Sequence, residues 1–213
     1  LDLAMISTFS LDDLVEKARA LAQTGQRKIL GIAGAPGSGK TTISQAILNG
    51  LTPGSVVVAP MDGFHFSNAT LINWKRRDRK GAWDTFDADG YVNLLQRIKG
   101  QKDLVIHAPD FDRDIDESIG SAIPIYPTTS LVIAEGTFLL SQQGNWPQVL
   151  PLLDQSWFVQ LEDESRHERL IKRHNKHGMS IEEAKSWTLN TDEKNAQMVK
   201  TDHVRATLSF KVI

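Results

Sequence analysis

Hydrophobic and polar positions follow two different rhythms along this chain. Short apolar runs occupy residues 28–33, 55–60, 103–107, 130–135 and 157–161, and a further strand is predicted over 202–210. Short runs that are apolar throughout are typical of strands buried on both faces of a parallel sheet. Other segments repeat apolar residues at three- and four-residue steps, which predicts amphipathic helices. The alternation predicts an α/β fold, a doubly wound parallel sheet of about five core strands with helices on both faces.

Local signals place the helix boundaries. Ser10 is a suitable N-cap for a helix over 11–21, and Gly25 is placed to end it. Residues 93–99 are predicted to be helical, and Ser180 with Glu183 forms a capping box for a helix over 180–189. The polar, irregular segment 66–91 is typical of a binding loop or lid. Residues 108–113 are predicted to form a turn dense in charge.

The most specific motif is a glycine-rich turn between a strand and a helix. Residues 34–41 read GAPGSGKT and fit G-x-x-x-x-G-K-[ST], the phosphate-binding P-loop, which predicts binding of a nucleoside triphosphate. Glycines let consecutive backbone N–H groups curl around an anion, and the helix N-terminus points its positive end at the same place. We expect Lys40 to reach the outer phosphates and Thr41 to offer its hydroxyl to magnesium. The predicted nucleotide-binding residues are Gly34, Ala35, Pro36, Gly37, Ser38, Gly39, Lys40, Thr41 and Thr42.

Two predicted core strands lead directly to an acid. Asp62 follows the strand 55–60, and Glu135 closes the strand 130–135. In open α/β sheets, ligands bind beyond the carboxyl ends of the strands. Asp62 alone could cap the next turn, but with a P-loop one strand earlier we expect it to act on a ligand. Glu135 stands where P-loop proteins place a second acid near magnesium, and so apolar a strand makes an unpaired carboxylate costly to bury.

A late segment carries arginines at helical spacing. Arg166, Arg169 and Arg173 are three and four residues apart, so a helix would place their guanidinium groups on one face. Such a face is either a charged surface with Glu–Arg pairs or a set of donors for a transferring phosphoryl group. The basic run 75–80 is either a solvated face or, with Trp74 and Trp83 nearby, an anion-binding or stacking surface.

Composition narrows the classes of function. The 213 residues carry a formal net charge of −2, are 40% apolar and contain no cysteine. A broad basic field for nucleic acid is absent from this composition, and no apolar stretch is long enough for a membrane span. We therefore expect neither nucleic acid nor membrane as a partner. The absence of disulfides and of a signal-peptide pattern favours the cytoplasm. Because the first residue is Leu1, a translation start upstream stays open.

Five motifs together carry a resemblance to a known family. They are the P-loop, Met61-Asp62-Gly63-Phe64-His65, Pro109-Asp-Phe-Asp112-Arg113, Ala134-Glu135-Gly136 and Arg169-Leu-Ile-Lys-Arg173. In this combination the chain resembles the superfamily of phosphoribulokinase, uridine kinase and bacterial pantothenate kinase, over nearly its whole length. It is most similar to a branch named "putative fructose transport system kinase" or nucleoside/nucleotide kinase-like, in which Lys80-Gly81, Thr85–Asp87 and a late Asn-Asp-Asn cluster also recur. The corresponding cluster here is Asn190, Asp192 and Asn195.

The resemblance implies roles for individual residues. Asp62 would act as base toward an acceptor hydroxyl, and Glu135 with Thr41 would hold magnesium. Arg169 and Arg173 would be lid arginines. The acceptor pocket would include Asp62, His65, Asp87, Asp112 and Arg113.

The expected function is an ATP- and magnesium-dependent kinase that phosphorylates a hydroxyl of a small molecule. A sugar, a nucleoside and a pantothenate-like acid all stay open as acceptor, and so does a homodimer. We expect one domain over 1–213, with an acceptor-binding insertion at about 62–91 and a lid at about 163–178. The alternative is a regulatory or switch-type P-loop ATPase. Asp87-Ala-Asp-Gly90 fits the D-x-x-G pattern of GTPases, but it lies in the polar insertion, and Asn175-Lys-His-Gly fails the guanine-reading motif at its last position.

Overall fold

The computed structural model describes residues 7–100 and 104–213. The strands are β1 (Ser7–Phe9), β2 (Lys28–Ala33), β3 (Val56–Pro60), β4 (Ile106–Asp112), β5 (Glu117–Ile125), β6 (Leu131–Gly136), β7 (Gln155–Val159) and β8 (Leu208–Val212). The helices are α1 (Leu11–Ala22), α2 (Lys40–Gly50), α3 (Asn68–Asn73), α4 (Ala88–Gly100), α5 (Asp163–Lys176), α6 (Ile181–Trp187) and α7 (Glu193–Val199). A π-helical turn, Thr188–Asp192, joins α6 to α7.

Six strands form one sheet in the order β1-β8-β7-β2-β6-β3, and each described pair in it is parallel. The doubly wound α/β prediction is therefore confirmed. The sheet has one strand more than the five expected, because β1 adds itself to the edge beside β8. A strand of three residues is too short to leave a readable pattern in the sequence.

The strand that leads into the P-loop is covered on both faces. Alternate residues of β2 point to opposite sides of the sheet. Ile29 packs in a cluster with Tyr91 of α4, whereas Leu30 packs in a second cluster with Ile43 and Ile47 of α2. This double burial explains why β2 is apolar from Ile29 to Ala33.

The register of the sheet brings the predicted acids to the P-loop. Glu135 at the end of β6 lies opposite Ile32 of β2 on one side and Pro60 of β3 on the other. Asp62 follows two residues after Pro60, in a short 3₁₀ turn. The carboxyl ends of β2, β3 and β6 therefore meet at one edge of the sheet, where the fold class places ligands.

The predicted strand 103–107 and the turn 108–113 are both wrong in their bounds. Asp103 lies outside the described residues, while β4 runs to Asp112 and pairs with β5 in an antiparallel hairpin separate from the main sheet. Asp110 and Asp112, which were expected in the turn, lie in the extended strand β4. The register of β4 with β5 shifts between Ala108 and Asp110. Pro109 lies at this irregularity, where its missing N–H is tolerated.

Two further segments are more helical than their sequence suggests. The insertion contains α3 with Ser67 as its N-cap, and α4 begins at Ala88 rather than at residue 93. The first residues of α4 show no apolar periodicity, because its buried face begins only at Tyr91 and Val92. A helix start at Ala88 therefore could not be predicted from the pattern of apolar residues. In the part of the chain that the structure describes, no helix is both long enough and apolar enough to cross a membrane.

Candidate active site

The P-loop adopts a conformation that suits an anion. Gly39 has φ +99°, a left-handed value that favours glycine, and it precedes α2 without a side-chain cap. The first amides of α2 are therefore left for a ligand. Ser38 adds to this, since its hydroxyl is buried and has no hydrogen-bond partner among the described residues. A triphosphate would satisfy both kinds of donor.

Lys40 lies against the loop that it follows. Its ammonium donates to the carbonyl oxygens of Gly34 at 2.9 Å and Ala35 at 3.1 Å. Burial lowers the pKa of Lys40 to about 8, against the opposing effect of Glu135 and Asp62. The Lys40 ammonium is thus charged at neutral pH, and it titrates in the pH range of ordinary enzyme assays.

Glu135 is bound by two hydroxyls from one helix. Thr41 Oγ1 donates to one carboxylate oxygen and Ser44 Oγ to the other, both at 2.7 Å. Hydroxyl and carboxylate oxygens are ligands that Mg²⁺ accepts, so the donor set fits this ion. The sequence prediction named Thr41 and Glu135 but missed Ser44, although Ser44 follows Thr41 by three residues and therefore shares its helix face.

Asp62 lies opposite the P-loop and is surrounded by cations. Its carboxylate accepts a hydrogen bond from Arg113 at 2.8 Å. Burial acts to raise the pKa of Asp62, but His65, Arg113, Arg173 and Lys40 oppose it, so the pKa lies below its usual value. The Asp62 backbone carbonyl contacts His65 Nδ1 at 2.8 Å, and burial lowers the pKa of that imidazole. Asp62 is therefore an ionised carboxylate at neutral pH.

Two cavities open on either side of this cluster. One, of about 640 Å³, includes Asp62 and Glu135 in its wall. The other, of about 600 Å³, is bounded by the P-loop, the end of β7 and α5. We call them the acceptor-side and the nucleotide-side cavity. The residues that line both are Lys40, Thr41, Arg113, Arg173 and His177. The cavities therefore adjoin at the P-loop lysine.

The three arginines of α5 do not act as one face. Arg166 is buried and donates to the Pro36 carbonyl, beneath the P-loop. Arg169 lines the nucleotide-side cavity near Gly39, and Arg173 lines both cavities. Burial, followed by the charge of Arg113, lowers the pKa of Arg173. Spacing alone predicted a shared face, but the Arg166 guanidinium is turned inward, toward Pro36 and Glu193.

The far wall of the acceptor-side cavity is held by ion pairs between distant segments. Asp116 at the hairpin tip accepts from Arg77 at 2.6 Å, and its carboxylate lies 3.3 Å from the Lys80 ammonium. Lys80 is 6% exposed and also donates to Asn68 at 2.9 Å. Phe111 lies beside it, with the ammonium 5.1 Å from the ring centroid. The basic run is thus partly an element of the cavity wall.

The bulged helix α6–α7 supplies residues that the predicted site lacked. Asp192 Oδ2 lies 2.7 Å from His174 Nε2 and accepts a hydrogen bond when that nitrogen carries the proton. Asn195 Nδ2 donates to the Gly81 carbonyl at 3.0 Å. Both line the acceptor-side cavity. The extra residue of the π-helical turn shifts the helical period, so that spacing could not show them as neighbours of the site. Asn190, the first member of the cluster, instead donates to Ser186 within the helix.

Two predicted acceptor residues lie outside the described lining of both cavities. Asp87 accepts from the Gly90 amide at 2.8 Å and so caps the start of α4. Asp112 accepts from the amides of Asp114 and Ile115 in the hairpin turn. In both cases the short carboxylate satisfies nearby backbone donors, as aspartate does in caps and turns. Asp110, their neighbour in the motif, does line the acceptor-side cavity.

Comparisons with known proteins agree with this geometry. No protein-family model matches the chain. A relative from Schizosaccharomyces pombe, named as a putative uridine kinase, is 33% identical over 205 residues, which cover 92% of this chain and 87% of the relative. The uncharacterised protein YggC of Escherichia coli is 30% identical over 189 residues, 86% of this chain and 77% of YggC.

A solved structure extends the agreement to three dimensions. The protein from a Silicibacter species described as a putative fructose transport system kinase superposes with a TM-score of 0.84 at 29% identity. The match covers 95% of this chain and 99% of that protein. The chain belongs to the family of uridine kinase-like P-loop kinases.

Proposed function

We propose that this P-loop kinase transfers the γ-phosphoryl group of ATP to a hydroxyl of a small molecule. One observation carries the proposal: the nucleotide-side and acceptor-side cavities adjoin at Lys40, with Asp62 in the wall of the acceptor side. A phosphoryl group held at Lys40 would therefore face a hydroxyl held at Asp62. A regulatory ATPase would have no use for a second cavity that adjoins its P-loop lysine.

Residues of the nucleotide side would hold and orient the triphosphate. The free amides at the start of α2 and the Lys40 ammonium would bind its phosphate oxygens. Thr41 and Glu135 would hold magnesium, directly or through water. The bound ion supplies charge neutralisation for the transferring group. Ser44 keeps Glu135 in place by its bond to the second carboxylate oxygen.

Asp62 would receive and orient the acceptor. Its low pKa makes it an ionised carboxylate that can accept the hydroxyl proton as transfer proceeds. A carboxylate of low pKa is a weak base, which suits a transition state in which positioning matters more than early proton removal. Arg113 holds the carboxylate from the hairpin side.

The arginines of α5 would complete the site as a lid. Arg169 and Arg173, which both line the nucleotide-side cavity, would donate to oxygens of the transferring group. Closure of residues 163–178 over both cavities would exclude water, which otherwise competes as acceptor. We expect this chemistry to take place in the cytoplasm.

The wall of the acceptor-side cavity and the name of one relative favour a nucleoside as the acceptor. The His65 ring lies between those of Phe86 and Phe111, with its centroid 3.9 Å from that of Phe86 and 4.7 Å from that of Phe111. Such a surface suits the flat face of a base or the apolar face of a sugar ring. The uridine kinase name of the S. pombe relative favours a nucleoside, while sugars and pantothenate-like acids remain in the test set.

A screen of ADP formation tests the proposal. The protein is supplied with ATP, Mg²⁺ and one member of each acceptor class, with a no-acceptor control, and products are identified by mass spectrometry. We expect one class to raise ADP formation well above the control and to yield a phosphorylated product. Full ADP formation without acceptor, unchanged by all three classes, would instead support the ATPase alternative.

A further inference from the structure

Arg166 is a buried arginine that lines neither cavity. It is 2% exposed and lies in the first turns of α5. Its guanidinium donates to Asp163 at 2.7 Å, to Glu193 of α7 at 2.9 Å and to the Pro36 carbonyl of the P-loop at 3.2 Å. One side chain thereby joins the P-loop, the lid helix and the bulged helix.

The ion pair between Arg166 and Glu193 stays ionised because the pKa of Glu193 is low. Burial acts to raise the pKa of Glu193, but hydrogen bonds from Gln197, His167 and Arg166 outweigh it and lower the pKa to about 2. His167 Nε2 lies 2.8 Å from the same carboxylate oxygen that Arg166 contacts. Arg166 is thus held from the side opposite the P-loop at every working pH.

The bond to Pro36 acts on the phosphate-binding backbone. The Pro36 carbonyl and the Gly37 N–H belong to one planar trans peptide, so they point in opposite directions. A donor that fixes the carbonyl on the α5 side therefore fixes the amide toward the cavity side. Gly37 has φ +78°, and a Cβ there would lie 2.9 Å from the Arg166 carbonyl oxygen, so the loop and α5 are in direct contact.

We infer that Arg166 is a positioning residue that orients the Pro36–Gly37 peptide for phosphate binding and couples it to the lid. This role rests on the proposed function only in that the P-loop binds ATP. Arg166 touches no reacting atom. Arg169 and Arg173, which share the helical spacing of Arg166, are instead proposed to donate to the transferring group.

The test compares nucleotide affinity with stability. In Arg166→Met the bond to Pro36 is lost, and Glu193 keeps His167 and Gln197 but loses its arginine partner, which is destabilising. The double variant Arg166→Met/Glu193→Gln removes both charges and keeps the shape, so it separates the two effects. We measure the Kd for AMP-PNP with Mg²⁺ by calorimetry and the melting temperature without nucleotide. Arg97→Met, an exposed arginine of α4, is the control.

We expect both variants to bind AMP-PNP about tenfold more weakly, the effect of one hydrogen bond from a charged group. The double variant should melt close to wild type, and Arg166→Lys, which lacks the planar fork, should recover stability more fully than affinity. KM for ATP should rise with kcat at saturation changed by less than about threefold. Wild-type affinity in the double variant overturns the inference. Failure of the wild-type protein to bind AMP-PNP would instead overturn the proposed function.

Discussion

The nucleotide side and the acceptor side of this site are built in different ways. Nearly all of the groups proposed to bind phosphate come from the continuous segment 34–42, whose conformation depends on glycines and on the start of α2. The wall of the acceptor side comes from the turn after β3, the insertion, the hairpin tip and the bulged helix. Those pieces are joined by side chains, such as Asp62–Arg113, Arg77–Asp116 and Asn195–Gly81.

The difference indicates how the two specificities can vary. A backbone cradle depends on few side chains beyond glycine, lysine and threonine, so it recognises any triphosphate in the same manner. A wall joined by ion pairs between distant segments can change its shape with one substitution. Acceptor choice is therefore expected to change more readily on substitution than nucleotide binding does.

The largest effect that separates the two sides is expected at Lys40. Lys40→Met removes the ammonium from the point where the cavities adjoin, while the methionine preserves the apolar stem. Loss of one such donor to a transferring group costs about 10²- to 10³-fold in turnover. Acceptor-dependent ADP formation by the variant measures it, and Lys17→Met on the exposed face of α1 serves as the control. Turnover within a few-fold of wild type would remove Lys40 from the proposed mechanism.

An intermediate effect is expected from pH. Burial lowers the pKa of Lys40 to about 8, so the ammonium that binds phosphate is present below that pH and is lost above it. Because kcat/KM reports the free enzyme, kcat/KM for ATP should fall about tenfold per pH unit above the pKa. Lys40→Arg, which does not titrate in this range, should lack the alkaline limb at its lower activity. A wild-type profile that stays flat to about pH 10 would contradict the assignment.

The smallest effect is expected on the acceptor side alone. Asn195→Ala removes the bond to the Gly81 carbonyl and loosens the segment that carries Lys80. Loss of one neutral hydrogen bond, about 1 kcal/mol, corresponds to a rise of about fivefold in KM for the active acceptor, with KM for ATP unchanged.

Asn190→Ala is the matched control for that variant. Among the residues that the structure describes, its side chain donates to Ser186 on the exposed side of the same helix, and both KM values should stay at wild type. A rise in KM for ATP in Asn195→Ala would show that the two sides are not separable at this position.

The sequence predicted what depends on local geometry. The P-loop, Asp62 and Glu135 were identified because each lies directly beyond a strand, and a parallel sheet brings such positions together. Ser44 could have been found in the same way, from its helix face. Five of the six sheet strands were predicted, all but the three-residue edge strand β1. The last of them was expected over 202–210 but is observed at Leu208–Val212, after a 3₁₀ turn over Asp202–Arg205.

What the sequence could not show depends on tertiary placement. Asp87, Asp110 and Asp112 look equivalent in the sequence, yet the first caps α4, the second lines the acceptor-side cavity and the third caps a turn. Arg166 shares its spacing with Arg169 and Arg173 but turns toward Pro36. The resemblance named Asp192 and Asn195 as members of a late cluster, but spacing could not show their contacts, because the π-helical turn breaks the helical period. The roles of Asp87 and Asp112 at an acceptor stay predictions.

The most direct test of the separation is Asp62→Asn. The amide keeps the size of the side chain and its place beside Arg113 but cannot accept the hydroxyl proton. With the acceptor found by the screen, we predict that ADP formation falls by about 10²- to 10⁴-fold while the Kd for AMP-PNP stays within about twofold. Asp12→Asn, an exposed aspartate of α1, should change neither. Near-normal turnover in Asp62→Asn would contradict the account, because phosphoryl transfer would then need no carboxylate at the point where the two cavities adjoin.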